Sequence, residues 1–182
     1  EIYTLSLHDA LPILAYKEHR DRWTDPDMAT SPKELANSMS KKIMYKEFDR
    51  LMSPEQVQKT GKGSCHDQVI YEIAMLKKMG LSPKALFVME SSGNQGGMTH
   101  SLVYFAKDGR VHWLENAWSD RAGLHTFNSV KEIKQEIQKA HQSGEFGDKR
   151  TFDELSFGDF NADAHKPGET LQELVDKIKW ED

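Results

Sequence analysis

Asp108-Gly109 stands between two apolar runs, HSLVYFAK and RVHWLENAW, and no other dipeptide constrains this chain as tightly. An Asp-Gly loop of two residues takes positive φ at both positions, the twist that a tight hairpin requires. If these two residues are the loop, Lys107 faces Arg110, Tyr104 faces Trp113 and Leu102 faces Glu115. Side chains alternate across a strand. His100, Leu102 and Tyr104 are therefore predicted to share a face with Val111, Trp113 and Glu115, while His112 and Asn116 point the other way. His100 and Glu115 become diagonal neighbours, within reach of long side chains. A four-residue loop keeps this parity. A three-residue loop with a bulge reverses it and brings Asn116 to His100 instead.

The only cysteine lies in GKGSCHDQVIYEIAMLKKMG, residues 61–80. Ser64 reads as a helix N-cap with Asp67 at N3 in a capping-box arrangement. Val69, Ile70, Ile73, Leu76 and Met79 supply an apolar face, and Gly80 is the predicted stop. Cys65 then falls at the first helical position. Free N–H groups and the positive end of the helix dipole favour a thiolate there, and the same N–H groups can hold an oxyanion. Gly61 and Gly63 read as room for a substrate to approach. A lone cysteine is most often a small buried hydrophobe. Here the cap, the glycine turn and the hairpin together point to a triad, with Cys65 as nucleophile, His100 as base and Glu115 as the group that orients the imidazole.

The segments GKGSCHDQV, MTHSLVYF and VHWLENAW, followed by RAGLHTFNSVKEI, resemble the transglutaminase-like thiol superfamily over roughly residues 50 to 140. The resemblance implies an α+β fold with a papain-like core, its central helix carrying the cysteine and packed on an antiparallel sheet. It implies a cysteine-dependent acyltransferase or amide hydrolase that works through a thioester on a protein or peptide substrate, with no cofactor and no metal. Many members carry aspartate as the third residue where this chain offers Glu115. Papain-like relatives use asparagine, which keeps Asn116 as the alternative. The competing reading is an inactive module of the same fold that binds a protein or peptide.

Elsewhere the sequence offers framework. EIYTLSLHDALPI, Glu1–Ile13, resembles the translation of a short-read sequencing-library adapter and is set apart from the fold. Residues 14–182 are expected to form one domain, with a helical and irregular extension over 141–182. The natural N-terminus is then expected to be missing. Localisation stays open, with the cytoplasm favoured because a single cysteine suits a reducing compartment. The formal net charge of −5 gives no footprint for nucleic acid, and no apolar run approaches the ~18 residues of a membrane span. Ser31-Pro32, Ser53-Pro54, Ser129 and Thr170 each open a predicted helix, and KALFVME (84–90) reads as a strand. SSGNQGGM (91–98) is a polar loop without the lysine of a phosphate loop. Cys65, His66, His100 and His112 lack metal-ligand spacing. His66 and His125 are expected on the surface or in loops, Gln68 as an ordinary polar helix residue, and Tyr104, Trp113 and Trp118 in the core more than in a cleft. Residues 143–167 show no assignable pattern, and the oligomeric state is not readable.

Overall fold

The computed structural model describes residues 25–90, 99–143 and 155–181. The adapter-like segment and the glycine-rich loop 91–98 lie outside the described residues. Five helices begin where a serine or threonine side chain accepts the N–H three residues on: α1 (Pro32–Lys42) at Ser31, α2 (Pro54–Thr60) at Ser53, α3 (Cys65–Lys78) at Ser64, α4 (Val130–Gln142) at Ser129 and α5 (Leu171–Val175) at Thr170. These caps satisfy donors that a helix start otherwise leaves open. In α1 the reciprocal half of the box is displaced: Glu34 accepts from the N–H and hydroxyl of Thr30. α3 ends as its glycine predicts. Gly80 has φ 77°, its N–H bonds Lys77 C=O at 2.9 Å and the N–H of Leu81 bonds Leu76 C=O at 3.1 Å, which is a Schellman ending.

The strands are β1 (Met44–Tyr45), β2 (Lys62–Gly63), β3 (Lys84–Glu90), β4 (Thr99–Lys107), β5 (Arg110–Glu115), β6 (Gly123–Phe127), β7 (Leu155–Phe160) and β8 (Lys179–Trp180). β1 and β2 form a short parallel pair. The other six make one antiparallel sheet in the order β6-β5-β4-β3-β7-β8. The architecture is α+β. Lys107 pairs with Arg110 and Tyr104 with Trp113. Asp108 and Gly109 take φ values of 50° and 72°, so the loop has the two residues and the backbone hand that the sequence required.

Register divides the core in two. On one face Ala85, Phe87, Val103, Phe105, Leu114 and Phe160 pack with Val69, Ile70, Ile73 and Leu76 of α3. On the other, Leu86, Val88, Leu102, Tyr104, Trp113 and Leu155 pack with Ile133, Ile137 and Ala140 of α4. Fully burying each large apolar side chain contributes about 1.5–3 kcal/mol. The central helix thus lies on an antiparallel sheet whose reverse face is covered by α4. Tyr104, Trp113 and Trp118 are core residues.

Five strands were not anticipated: the short pair β1 and β2, and three strands of the main sheet. β6 extends the hairpin outward along β5. Among the described residues the C-terminal region carries strands as well as the helix α5: β7 pairs with β3 and carries β8 on its outer side. LSFGDF lacks β-branched residues and contains Gly158, which weakens any strand signal read locally. The glycine is required by contact. A Cβ at Gly158 would meet Ile178 Cγ2 at 2.3 Å and the Lys179 carbonyl at 3.1 Å. Likewise α5 ends at Val175, earlier than its apolar stripe suggested, and Ile178 is buried just ahead of β8.

Gly158→Ala is therefore expected to destabilise the protein by about 1–3 kcal/mol, the usual cost of overpacking. Urea unfolding followed by circular dichroism measures it. An unchanged midpoint would contradict the placement of β8 over β7.

Candidate active site

The site begins with a cap. Ser64 Oγ accepts the N–H of Asp67 at 3.3 Å, and Asp67 Oδ2 accepts the N–H and the hydroxyl of Ser64, each at 2.8 Å. Asp67 Oδ1 also accepts the N–H of Met52 at 2.7 Å, which ties the helix start to the chain leading into α2. Gln68 N–H bonds Ser64 C=O and opens the helical ladder. Among the described residues, the N–H groups of Cys65 and His66 are the ones this cap leaves unengaged. The glycines serve the same junction: the space a Cβ would take at each is filled by the chain itself, where the sequence read it as room for a substrate. Gly61 closes α2 with φ 62°. A Cβ at Gly63 would meet Asp67 Cβ at 2.9 Å, so its bare backbone lets the turn close onto α3.

Cys65 is 5 % exposed. The ring of His100, second residue of β4, acts on the Cys65 thiol. His100 Nε2 lies 2.8 Å from Glu115 Oε2, which leaves Nδ1 as the ring nitrogen for sulfur. Glu115 Oε1 accepts the N–H of Trp118 at 2.9 Å, so both carboxylate oxygens are held. The Trp118 ring meets His100 edge-on, with centroids 6.4 Å apart. The structure thus brings together Cys65, His100 and Glu115. Asn116 is directed elsewhere. Its amide donates to Gln68 Oε1 at 2.6 Å and to Ile43 C=O at 3.2 Å, and Gln68 donates to Gly63 C=O at 2.9 Å. Asn116 and Gln68 form a brace under the helix start.

Charge follows geometry. Burial pushes the Cys65 thiol up, but His66 and His100 outweigh it and bring it down to about 5. For His100, burial favours the neutral ring, while Glu115 and the Cys65 thiolate reverse this and raise it to about 10. Both shifts favour a thiolate opposite an imidazolium between these limits. Glu72, two turns along α3 and 1 % exposed, is held well above the usual carboxylate range by burial and then by Glu115, with His100 opposing. The Tyr45 hydroxyl is raised by its partial burial and next by the Cys65 charge.

Two residues escaped the sequence reading. His66, expected on the surface, is buried, with Nδ1 2.7 Å from Ser101 Oγ. It shares a helical stripe with Val69, Ile70 and Ile73, a spacing that marks a buried face. Glu72 lies seven residues after Cys65, on the same side of the helix. His125, also expected on the surface or in a loop, is half-buried in β6, with Nε2 2.6 Å from Arg121 C=O. Among the described residues there is no group of three His, Cys, Asp or Glu side chains arranged for a metal ion, and no helix is long and apolar enough to cross a membrane. No protein-family model matches the chain, and no curated protein matches it.

The shifted thiol has a direct kinetic consequence. A group depressed to about 5 is thiolate at every pH above that value. Alkylation of Cys65 by iodoacetamide is expected to hold its rate from neutral pH down to that point and to fall below it. An inflection near the ~8.5 of a free thiol would contradict the pairing.

Proposed function

We propose that this protein is a cysteine-dependent acyltransferase or amide hydrolase of the transglutaminase-like type, acting on a carboxamide or peptide carbonyl. The observation that carries the reading is the buried set Cys65, His100 and Glu115, in which one imidazole nitrogen is anchored to a carboxylate and the other is left for the thiol at a helix start. The Cys65 sulfur attacks the carbonyl carbon, and the C=O π electrons move onto oxygen. The N–H groups that the cap leaves unengaged at the helix start can hold that oxyanion. Imidazolium His100 donates its proton to the leaving nitrogen, the C–N bond breaks, and a thioester remains on Cys65. Water or an amine then adds to the thioester while neutral His100 takes its proton, and collapse of the second tetrahedral intermediate expels the thiolate. Water gives hydrolysis or deamidation; an amine gives transamidation. Glu115 keeps the ring oriented and stabilises the imidazolium. The rival, an inactive binding module of the same fold, lacks the covalent intermediate.

A peptide mixture rich in glutamine, with and without an added primary amine, tests the proposal by mass spectrometry after acid quench. Wild-type protein is expected to carry an acyl adduct on Cys65 and to modify peptides, and Cys65→Ser to do neither. Peptide turnover by Cys65→Ser at the wild-type rate would overturn the mechanism, and binding without adduct or turnover would favour the module.

The third residue has its own test. Glu115→Gln keeps the size but removes the charge behind His100, and is expected to lower kcat by on the order of 10³-fold or more, the scale of removing the acid from such a triad. Asn116→Ala is expected to cost about 1–2 kcal/mol of stability through its lost hydrogen bonds, with kcat changed only a few-fold. Steady-state kinetics and urea unfolding of the two variants decide. The opposite ranking would make Asn116 the orienting group.

A further inference from the structure

The short pair β1–β2 has no part in the mechanism above, yet it is fastened to the site from two directions. Tyr45 of β1 is the direct partner of Gly63, two residues before Cys65. The C=O of Ile43, just ahead of β1, accepts from the amide of Asn116, the neighbour of Glu115. β1 is thus tied both to the strand that leads into the nucleophile and to the end of the strand that carries the acid. Its inner edge is used: the N–H groups of Met44 and Lys46 bond the C=O groups of Gly61 and Gly63 at 2.9 and 3.0 Å. Successive residues of a strand turn their main-chain groups to opposite sides, so the N–H and C=O of Tyr45 lie on the outer edge. Among the described residues no strand pairs with that edge. An open edge is a template for an extended chain.

What surrounds the edge selects that chain. Every residue from Met44 to Arg50 is exposed, and Met44, Tyr45 and Phe48 are large apolar side chains among them. The protein as a whole carries a formal charge of −5, yet lysines gather here. Lys41 and Lys42 end α1 just ahead of β1, Lys46 follows it and Lys62 pairs with Met44. Lys59 lines one cavity with Lys42 and Gly61. Among the described residues none of these five is in an ion pair. Lys46 lies over the Phe48 ring instead, 5.2 Å from its centroid. Of the two acids on the segment, Glu47 already accepts the Tyr45 hydroxyl at 2.9 Å.

We propose that the outer edge of β1 is the substrate strand of this site: an extended acidic peptide pairs with the main chain of Tyr45, rests its apolar side chains on Tyr45 and Phe48, and is held by the lysines with its carboxamide at Cys65. The inference rests on the reading of Cys65 as an acyl-transfer nucleophile, and it narrows the substrate from any peptide to an acidic one. Main-chain pairing supplies the grip, and charge supplies the selection.

Two glutamine peptides of equal length test this, one flanked by glutamate and leucine, the other with lysine in place of each glutamate. Wild-type protein is expected to favour the acidic peptide in kcat/KM by on the order of tenfold, through KM, and to lose that preference as salt rises. Lys46→Glu combined with Lys62→Glu is expected to cancel or reverse the preference. Lys131→Glu, the same charge change on exposed α4 surface behind the sheet, is expected to keep it. Tyr45→Pro removes the outer N–H without touching the bonds to β2, and Tyr45→Val removes the ring but keeps that N–H. The proline variant is expected to show a KM for the acidic peptide several-fold above that of the valine variant. Equal use of the two peptides by wild-type protein, or an unchanged preference in the double lysine variant, would overturn the proposal while leaving acyl transfer at Cys65 intact. The same KM in Tyr45→Pro and Tyr45→Val would also overturn it, since charge alone would then hold the peptide. Should Tyr45→Pro fail to fold by circular dichroism, the lysine variants decide alone. A thiol that iodoacetamide finds reactive but that takes no acyl group from either peptide would overturn this inference by itself. An ordinary thiol would remove the acyl-transfer reading as well.

Discussion

The carboxylate of Asp67 fixes the point from which the rest of the site is measured. It binds the N–H and hydroxyl of Ser64 and, through its other oxygen, the N–H of Met52. Those contacts end the turn after α2, start α3 and set the first helical residue at Cys65. A helix that began one residue later would rotate the cysteine by about a hundred degrees and lift it off the helix start. Gly63 allows the closure, since its missing side chain is what lets the turn lie against Asp67 and Gln68. Asn116 and Gln68 then tie this junction to the end of β5 and to Ile43. The sulfur is held from the helix, the imidazole and carboxylate from the hairpin, and the brace keeps the two in register.

A buried ionic site needs its charges to balance. On the proposed reading a Cys65 thiolate and Glu115 are the negative groups and an imidazolium His100 lies between them, with both Glu115 oxygens hydrogen-bonded. A further ionised carboxylate nearby would unbalance the set, and burial and Glu115 both disfavour the ionised form of Glu72. Removing a single member of a buried set like this leaves its partner uncompensated, and the loss exceeds the pair's own attraction.

The parts of the fold that short-range chemistry dictates were legible in the sequence. Serine caps, Gly80 and the Asp108-Gly109 turn act over three or four residues, and each is where local reasoning placed it. Parity did the rest: two loop residues and strand alternation were enough to put Glu115, not Asn116, against His100. What escaped depends on distant partners. β7 is a strand because β3 lies beside it and Ile178 above its glycine, and nothing within LSFGDF announces either. His66 was misplaced by residue type, since a histidine was read as polar although its helical spacing set it among Val69, Ile70 and Ile73. Glycine was misread in the opposite sense, as space for a substrate where the structure shows the chain's own close approach.

The central claim is that His100 stands as an imidazolium opposite a Cys65 thiolate, held by Glu115. Side-chain proton–nitrogen NMR of the histidines reads this directly, because the ring nitrogens of imidazolium and neutral imidazole resonate apart. At neutral pH the wild-type protein is expected to show His100 protonated on both nitrogens, raised by Glu115 and the thiolate. Cys65→Ser, which removes the negative sulfur, is expected to return part of that signal to the neutral form. A neutral His100 in the wild-type protein at that pH, unchanged in Cys65→Ser, would contradict the account.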